Sequence, residues 1–192
     1  MQLILASTSP FRKIILEKLN VNFTAIAPQN VDETPLSGEI PEQLVSRLAE
    51  AKAKAVAESF SNALIIGSDQ VAVVDGQIVG KPGDHENAVK QLKRASGKRV
   101  SFLTGLCLYN TESKRMQIEV VPYNVIFRQL TDSQIEHYLK IEQPYNCAGS
   151  FKSEGMGIVL FKRLEGEDPN TLVGLPLIRL VRMLESEGFT IL

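Results

Sequence analysis

Tryptophan is absent from this chain, and cysteine and histidine occur only twice each among its 192 residues. Cys107 lies in an apolar strand pattern and Cys147 in a polar loop, so they suggest no disulfide framework. Together with two isolated histidines they give no metal-binding spacing. A reducing, cytoplasmic setting is the expectation. No apolar run reaches the roughly 20 residues that span a bilayer, and no basic segment followed by a long apolar stretch opens the chain, so neither a membrane span nor a secretory leader is expected. Excess charge is missing as well. With a formal net charge of -1 no basic surface is expected to dominate, which argues against nonspecific nucleic-acid binding. Repeats, low-complexity segments and long linkers are also lacking. What remains is an ordinary globular composition, 44% hydrophobic and 22% charged, in a chain long enough for one substantial core or for one domain with two lobes.

The first thirteen residues are the most informative. Leu3 to Ala6 reads as a short buried strand. Ser9 then suits a helix N-cap and Pro10 the first helical position, where a missing N–H costs nothing. The helix carries Arg12 and Lys13 in its first turn. Free N–H groups, the helix dipole and two cations all favour an anion there, and Ser7 and Ser9 sit in the turn that precedes it.

The remaining chain alternates extended and helical patterns. Phe23–Ala27 is extended, Pro41–Ser59 is a long helix, and Ala63–Gln70 is a buried strand ending on polar residues. Val71–Val74 and Gln77–Val79 around Asp75-Gly76 form a hairpin signal. A helix is expected over Asp84–Ala95, and long strands over Val100–Tyr109 and Met116–Arg128. Thr131 with Gln134 has capping-box form and opens a helix to about Lys140. A polar loop from Glu142 to Gly157 precedes a strand at Ile158–Phe161, and Pro176 opens a last helix. The expected fold class is α/β with mixed α+β character: a mixed twisted sheet flanked by helices, with some antiparallel strands.

Several polar residues resist a purely structural account. In the long helix, Leu44, Val45, Leu48, Ala51, Ala55 and Val56 make an apolar stripe, and Lys52 falls inside it. Lys52 either snorkels out of a shallow groove or meets an anion such as a phosphate. Asp69 ends an apolar strand, where it either caps a loop or faces a ligand crevice. With a two-residue hairpin turn, counting back sets Gln70 opposite Lys81, which puts Asp69 and Lys81 at the same open end. Glu33 lies in an acidic loop, and Glu154 in a glycine-bearing one, where it either pairs with Lys152 or faces solvent. Together these residues supply acids, cations, a helix N-terminus and glycine-bearing loops, the set that phosphoryl chemistry needs. No Walker lysine motif is present.

Taken in order, Ala6-Ser7-Thr8-Ser9-Pro10-x-Arg12, Val31-Asp32-Glu33, Lys52, Gly67-Ser68-Asp69-Gln70, Gly80-Lys81-Pro82 and Gly149-Ser150-Phe151-Lys152-Ser153-Glu154-Gly155 resemble the Maf family of nucleoside triphosphate pyrophosphatases. The resemblance covers nearly the whole chain, 1–192, as a single domain. It implies two lobes around a central cleft, often in a homodimer, and hydrolysis of nucleoside triphosphates to monophosphate and pyrophosphate with a divalent metal such as Mg²⁺ or Mn²⁺. By the same resemblance Asp69 is the proton acceptor that activates water, and Glu33 and Asp69 help place the metal. Ser7, Ser9, Arg12, Lys52 and Lys81 contact the phosphates. The partner is a small nucleotide rather than a nucleic acid or a membrane.

One departure bears on the substrate. The family motif has two arginines after Ser-Pro; here the first is Phe11. One branch of the family also carries an aromatic residue there, together with the Phe-Lys-Ser-Glu-Gly run, and acts on 7-methyl-GTP. Methylation makes guanine cationic, and an aromatic face attracts a cation by roughly 0.5–2 kcal/mol, whereas an arginine would repel it. Glu154 could accept from the guanine N1–H and exocyclic amine, and Gln70 is a third position to tune base choice. Phe11 equally suits a core position one turn ahead of Ile15. A pyrimidine triphosphate, dTTP or UTP, is the rival substrate, and a non-catalytic nucleotide-binding regulator of cell division the rival function.

Overall fold

Alternate residues of the central strands bury themselves on opposite faces of one seven-stranded mixed sheet, and that alternation decides what each polar residue can meet. The computed structural model describes residues 1–192. The elements are β1 (Gln2–Ala6), α1 (Pro10–Glu17), β2 (Thr24–Ile26), α2 (Pro41–Ala57), β3 (Ala63–Val74), β4 (Gln77–Val79), α3 (His85–Ala95), β5 (Arg99–Asn110), β6 (Met116–Phe127), α4 (Asp132–Glu142), β7 (Phe161–Glu165), α5 (Asn170–Val173) and α6 (Leu177–Ser186). Short 3₁₀ turns occupy Ala148–Ser150 and Met156–Leu160. The strand order is β2-β1-β3-β5-β6-β7, with β4 paired to β3. β1 is parallel to β2 and β3, while the β3–β4 and β6–β7 pairs are antiparallel.

The chain forms two compact units. The first comprises Met1–Gln70, Thr104–Val121 and Asp168–Leu192. On one face of its strands Leu3, Leu5, Leu64, Ile66, Leu106 and Leu108 pack with Ile15, Leu16, Leu180 and Leu184 from α1 and α6. On the other face Ile4, Ala6, Ile65 and Cys107 pack with Ala49, Ala53 and Val56 of α2. Burial there pushes the Cys107 thiol up to about 12, so this cysteine is a core residue. The second unit comprises Val71–Leu103 and Pro122–Glu167. Its centre includes an aromatic cluster in which Phe151 stands edge-on to Phe102, Phe127 and Phe161 at ring separations of 4.9–5.6 Å. No helix is long and apolar enough to cross a membrane.

The capping signals appear where the sequence places them. Ser9 caps α1 by accepting from the Arg12 N–H, and Thr131 and Gln134 form the capping box of α4. Four expectations are corrected. β3 does not stop at Gln70 but runs unbroken to Val74, because Ser68, Asp69 and Gln70 each find a polar partner. The hairpin register has Val74 opposite Gln77 as expected, yet the ladder ends at Ala72–Val79, so Gln70 and Lys81 are not paired. The strand expected at Ile158–Phe161 is mostly a 3₁₀ turn, and β7 follows it. Local bonds curl that segment: Gly157 donates to the Lys152 carbonyl at 3.0 Å and the Met156 N–H to Glu142 Oε2 at 2.9 Å. In α2, Ala49 and Ala53 rather than Ala51 and Ala55 are buried.

The α2 face of the sheet is reached at backbone distance. A Cβ on Gly67 would collide with the Ala49 carbonyl oxygen, and one on Gly105 with the Val45 carbonyl. Glycine at these two strand positions is what lets the helix backbone settle on the sheet. We expect Gly67→Ala to destabilise the fold by about 1–3 kcal/mol in chemical denaturation, because helix and strand must separate. Unchanged stability would show that α2 can move without cost.

Candidate functional site

Lys52 is 7% exposed, on the α2 face that meets the sheet. A buried ammonium needs anionic partners, and it has two. Its Nζ lies 2.6 Å from Asp69 Oδ1 and 2.7 Å from Glu33 Oε1. Asp69 is itself buried, and on β3 it follows Gly67 by two positions, so its side chain turns toward α2 as the glycine does. The anion facing Lys52 in the folded chain is therefore a pair of carboxylates. An ammonium has three N–H donors, and the two carboxylates engage two of them.

Glu33 reaches this position from a loop that Arg47 of α2 holds. Arg47 grips the Glu39 carboxylate through Nε at 2.6 Å and Nη2 at 2.8 Å, and donates to the carbonyls of Thr34 at 3.0 Å and Asp32 at 3.4 Å. The loop adds bonds of its own, from the Thr34 N–H to Asp32 Oδ1 and from the Leu36 N–H to Glu39 Oε2. The Arg47 hydrogen bonds hold the Glu39 carboxyl down at about 2. Hydrogen bonds from Thr34 lower Asp32. Helical spacing alone does not show this clasp, because the Arg47 partners lie in the loop that precedes the helix.

On the opposite face of β3 a second polar cluster forms. Ser68 donates to the Gly174 carbonyl at 3.0 Å, and Arg12 Nε donates to the same oxygen at 2.8 Å. Gly174 ends α5 with φ +105°, a left-handed conformation suited to glycine. Burial lowers the Arg12 pKa, while the charges of Asp69 and Glu33 oppose that shift. Gln70 Nε2 donates to Thr104 Oγ1 at 2.8 Å and to the Thr171 carbonyl at 2.7 Å. Asp168, 2% exposed, secures the segment beneath, accepting from Asn170 and from the Ile178 N–H. Thr104, Asp168, Thr171 and Gly174 were not legible as site residues, because their roles lie in backbone carbonyls and long-range partners.

Ser7 and Ser9 organise the β1–α1 turn: Ser7 Oγ accepts from the Ser9 N–H, and Ser9 Oγ from the Arg12 N–H. Phe11 is half-buried and joins none of the ring pairs, so it is not a fully buried core residue. Lys81 and Glu154 belong to the second unit. Both are exposed. Burial raises the Cys147 thiol, the Glu154 charge adds to that rise, and Lys152 and Lys81 oppose it. Glu154 does not pair with Lys152, which instead bonds Glu142. Phe151 in the aromatic cluster and the Lys152 N–H on Tyr138 Oη anchor the loop that presents Glu154.

The Maf-like protein family model matches residues 2–187. The chain is 60% identical over 186 residues to the 7-methyl-GTP pyrophosphatase of Alcanivorax borkumensis, covering 97% of this chain and 94% of that one. Its fold is similar to that of the Staphylococcus aureus Ham1 protein, with a TM-score of 0.55 at 15% identity over 97% of this chain and 100% of that one.

The clasp has a defined pH response. The Glu39 carboxyl is lowered in the fold, so its contribution is present above its ordinary range near 4.5 and is lost as pH falls through about 2. Opening of loop 32–39 is accordingly expected to stay constant from about pH 5 to 8. Arg47→Met should speed exchange of the Leu36 amide hydrogen by about ten-fold. Exchange at the wild-type rate in that variant would remove Arg47 from this role.

Proposed function

This chain belongs to the Maf family, and from that premise we propose that it hydrolyses 7-methyl-GTP to 7-methyl-GMP and pyrophosphate. The buried Lys52–Asp69 pair, joined by Glu33, carries the chemistry. A pocket that only held phosphate would gain nothing from two carboxylates at its cation, since they repel the ligand. The near-full-length likeness to a 7-methyl-GTP pyrophosphatase supports the substrate.

In this reading Asp69 takes a proton from a water molecule as the water oxygen bonds to the α-phosphorus. The bond from the α-phosphorus to the bridging oxygen breaks, and pyrophosphate leaves with the electron pair. Lys52 holds the Asp69 carboxylate in place through their ion pair, and its third N–H is left for a phosphate oxygen. Arg12 adds a cation, and Ser7 and Ser9 shape the helix N-terminus beside it. Lys81 is assigned a phosphate contact on its motif. Glu33 and Asp69 offer carboxylate oxygens, the donors that a hard divalent cation prefers, and they would hold Mg²⁺ or Mn²⁺. Such an ion, when bound, offsets the charge on the phosphates.

Phe11, Gln70 and Glu154 are the residues to which we assign base choice. Phe11 is half-buried and would stack its ring on a cationic base, and the exposed Glu154 carboxylate would accept from the amide edge of that base. The same reading makes residues 1–192 one functional domain, forming a homodimer in the cytoplasm and acting on a free nucleotide.

Pyrophosphate release from 7-methyl-GTP, GTP, dTTP and UTP, with and without Mg²⁺ or Mn²⁺, tests the proposal. Metal-dependent turnover led by 7-methyl-GTP is expected. Turnover led by a pyrimidine would overturn the substrate, and none at all would point to a nucleotide-binding module. Asp69→Asn should lower kcat by about 10²–10⁴, and near-normal turnover would remove Asp69 as the base. Phe11→Arg should reduce the preference for 7-methyl-GTP over GTP by about ten-fold, and an unchanged ranking would exclude stacking.

A further inference from the structure

Gln70 has an amide whose two ends do opposite things, and the fold decides which end faces outward. Nε2 can only donate, and it is surrounded by acceptors: the Thr171 carbonyl at 2.7 Å, the Leu172 carbonyl at 3.4 Å and Thr104 Oγ1 at 2.8 Å. Turning the amide over would set its oxygen against two backbone carbonyls, which have no hydrogen to offer. The orientation is thus forced by the partners. Thr104 has a forced direction as well. Its hydroxyl hydrogen goes to the Thr171 carbonyl at 3.2 Å, so its lone pair is free to receive Gln70. Thr104 and Thr171 are fully buried, whereas Gln70 is partly exposed. No protein group donates to Gln70 Oε1.

We propose that Thr104, together with the carbonyls of Thr171 and Leu172, is a positioning residue that holds Gln70 as an obligate hydrogen-bond acceptor toward the nucleotide base. The inference rests on the reading above that Gln70 acts in base choice, and adds the device that sets its polarity. A free glutamine can flip and offer a donor or an acceptor, so it discriminates poorly between base edges. A clamped one accepts from a base N–H and meets a base carbonyl with repulsion. Alternation along the strands explains how the fold does this. Gln70 of β3 and Thr104 of β5 share the face that carries Ile66 and Ser68, and the α5 segment supplies its carbonyls to that face. Asp69 turns to the other side, so the clamp can set base choice without touching the proposed base catalyst.

The test measures kcat and KM for 7-methyl-GTP and for UTP with the full chain and three variants. Gln70→Leu removes the acceptor, Thr104→Val removes the hydroxyl at constant shape, and Thr104→Ser restores it. Gln70→Leu is expected to lower the kcat/KM ratio of 7-methyl-GTP to UTP by about ten-fold. Thr104→Val should lower it by about five-fold, mainly through KM for 7-methyl-GTP, with Thr104→Ser returning most of the loss. A Gln70→Leu ratio equal to wild type would overturn the reading of Gln70 and this proposal with it. A lowered Gln70→Leu ratio beside an unchanged Thr104→Val ratio would overturn the clamp alone. So would a Thr104→Val loss equal for both substrates, since that is only structural. If Thr104→Val fails to fold, the side-chain amide hydrogens of Gln70 in the wild-type protein decide. Exchange much slower than that of an exposed glutamine supports the clamp, and exchange at the exposed rate overturns it.

Discussion

An ammonium buried between a helix and a sheet is the constraint on which the first unit is arranged. Left unpaired, a charge taken out of water costs several kcal/mol, so burying Lys52 obliges the fold to deliver anions to it. Two elements deliver them. β3 brings Asp69, and the loop before α2 brings Glu33, which Arg47 of that same helix helps to hold. The distance between α2 and the sheet must then be short, and the missing side chains of Gly67 and Gly105 make it so. A helix standing one side chain further out would draw the lysine away from Asp69.

The two faces of β3 carry different work. Gly67 and Asp69 meet α2, while Ser68 and Gln70 meet the segment around α5, and each side has its own support. Arg12 belongs to the second set through its bond to the Gly174 carbonyl, yet it senses the charges of Asp69 and Glu33. That carbonyl receives both Ser68 and Arg12, so the short α5 turn and its left-handed glycine fix a cation as well as a strand.

The second unit follows a different rule. There a loop is held by an aromatic anchor rather than by an ion cluster. Phe151 packs among Phe102, Phe127 and Phe161, and Glu142 receives both the Lys152 side chain and the Met156 N–H. His85 joins the start of α3 to Tyr145 and to Glu136 of α4, at 3.0 Å each. Glu154 is left at the exposed tip, with Ser153 as its hydrogen-bond partner.

Local rules made much of this legible. The Ser9 cap, the Thr131–Gln134 box and the Asp75-Gly76 hairpin depend on neighbours a few residues apart, and the sequence by itself determined them. It also determined that Lys52 sits inside an apolar stripe, because helical spacing alone places it there. The order of the motifs was enough to identify the family. What spacing does not contain is the partner across the fold. That Lys52 would face Asp69 and Glu33, that Asp69 lies within a strand rather than at its end, and that Thr104 and the carbonyls of Thr171 and Gly174 would serve Gln70, Ser68 and Arg12 all join residues up to 162 positions apart. Only the tertiary structure decided these, because a hydrogen bond to a backbone carbonyl depends on where the chain passes and not on which side chain it carries.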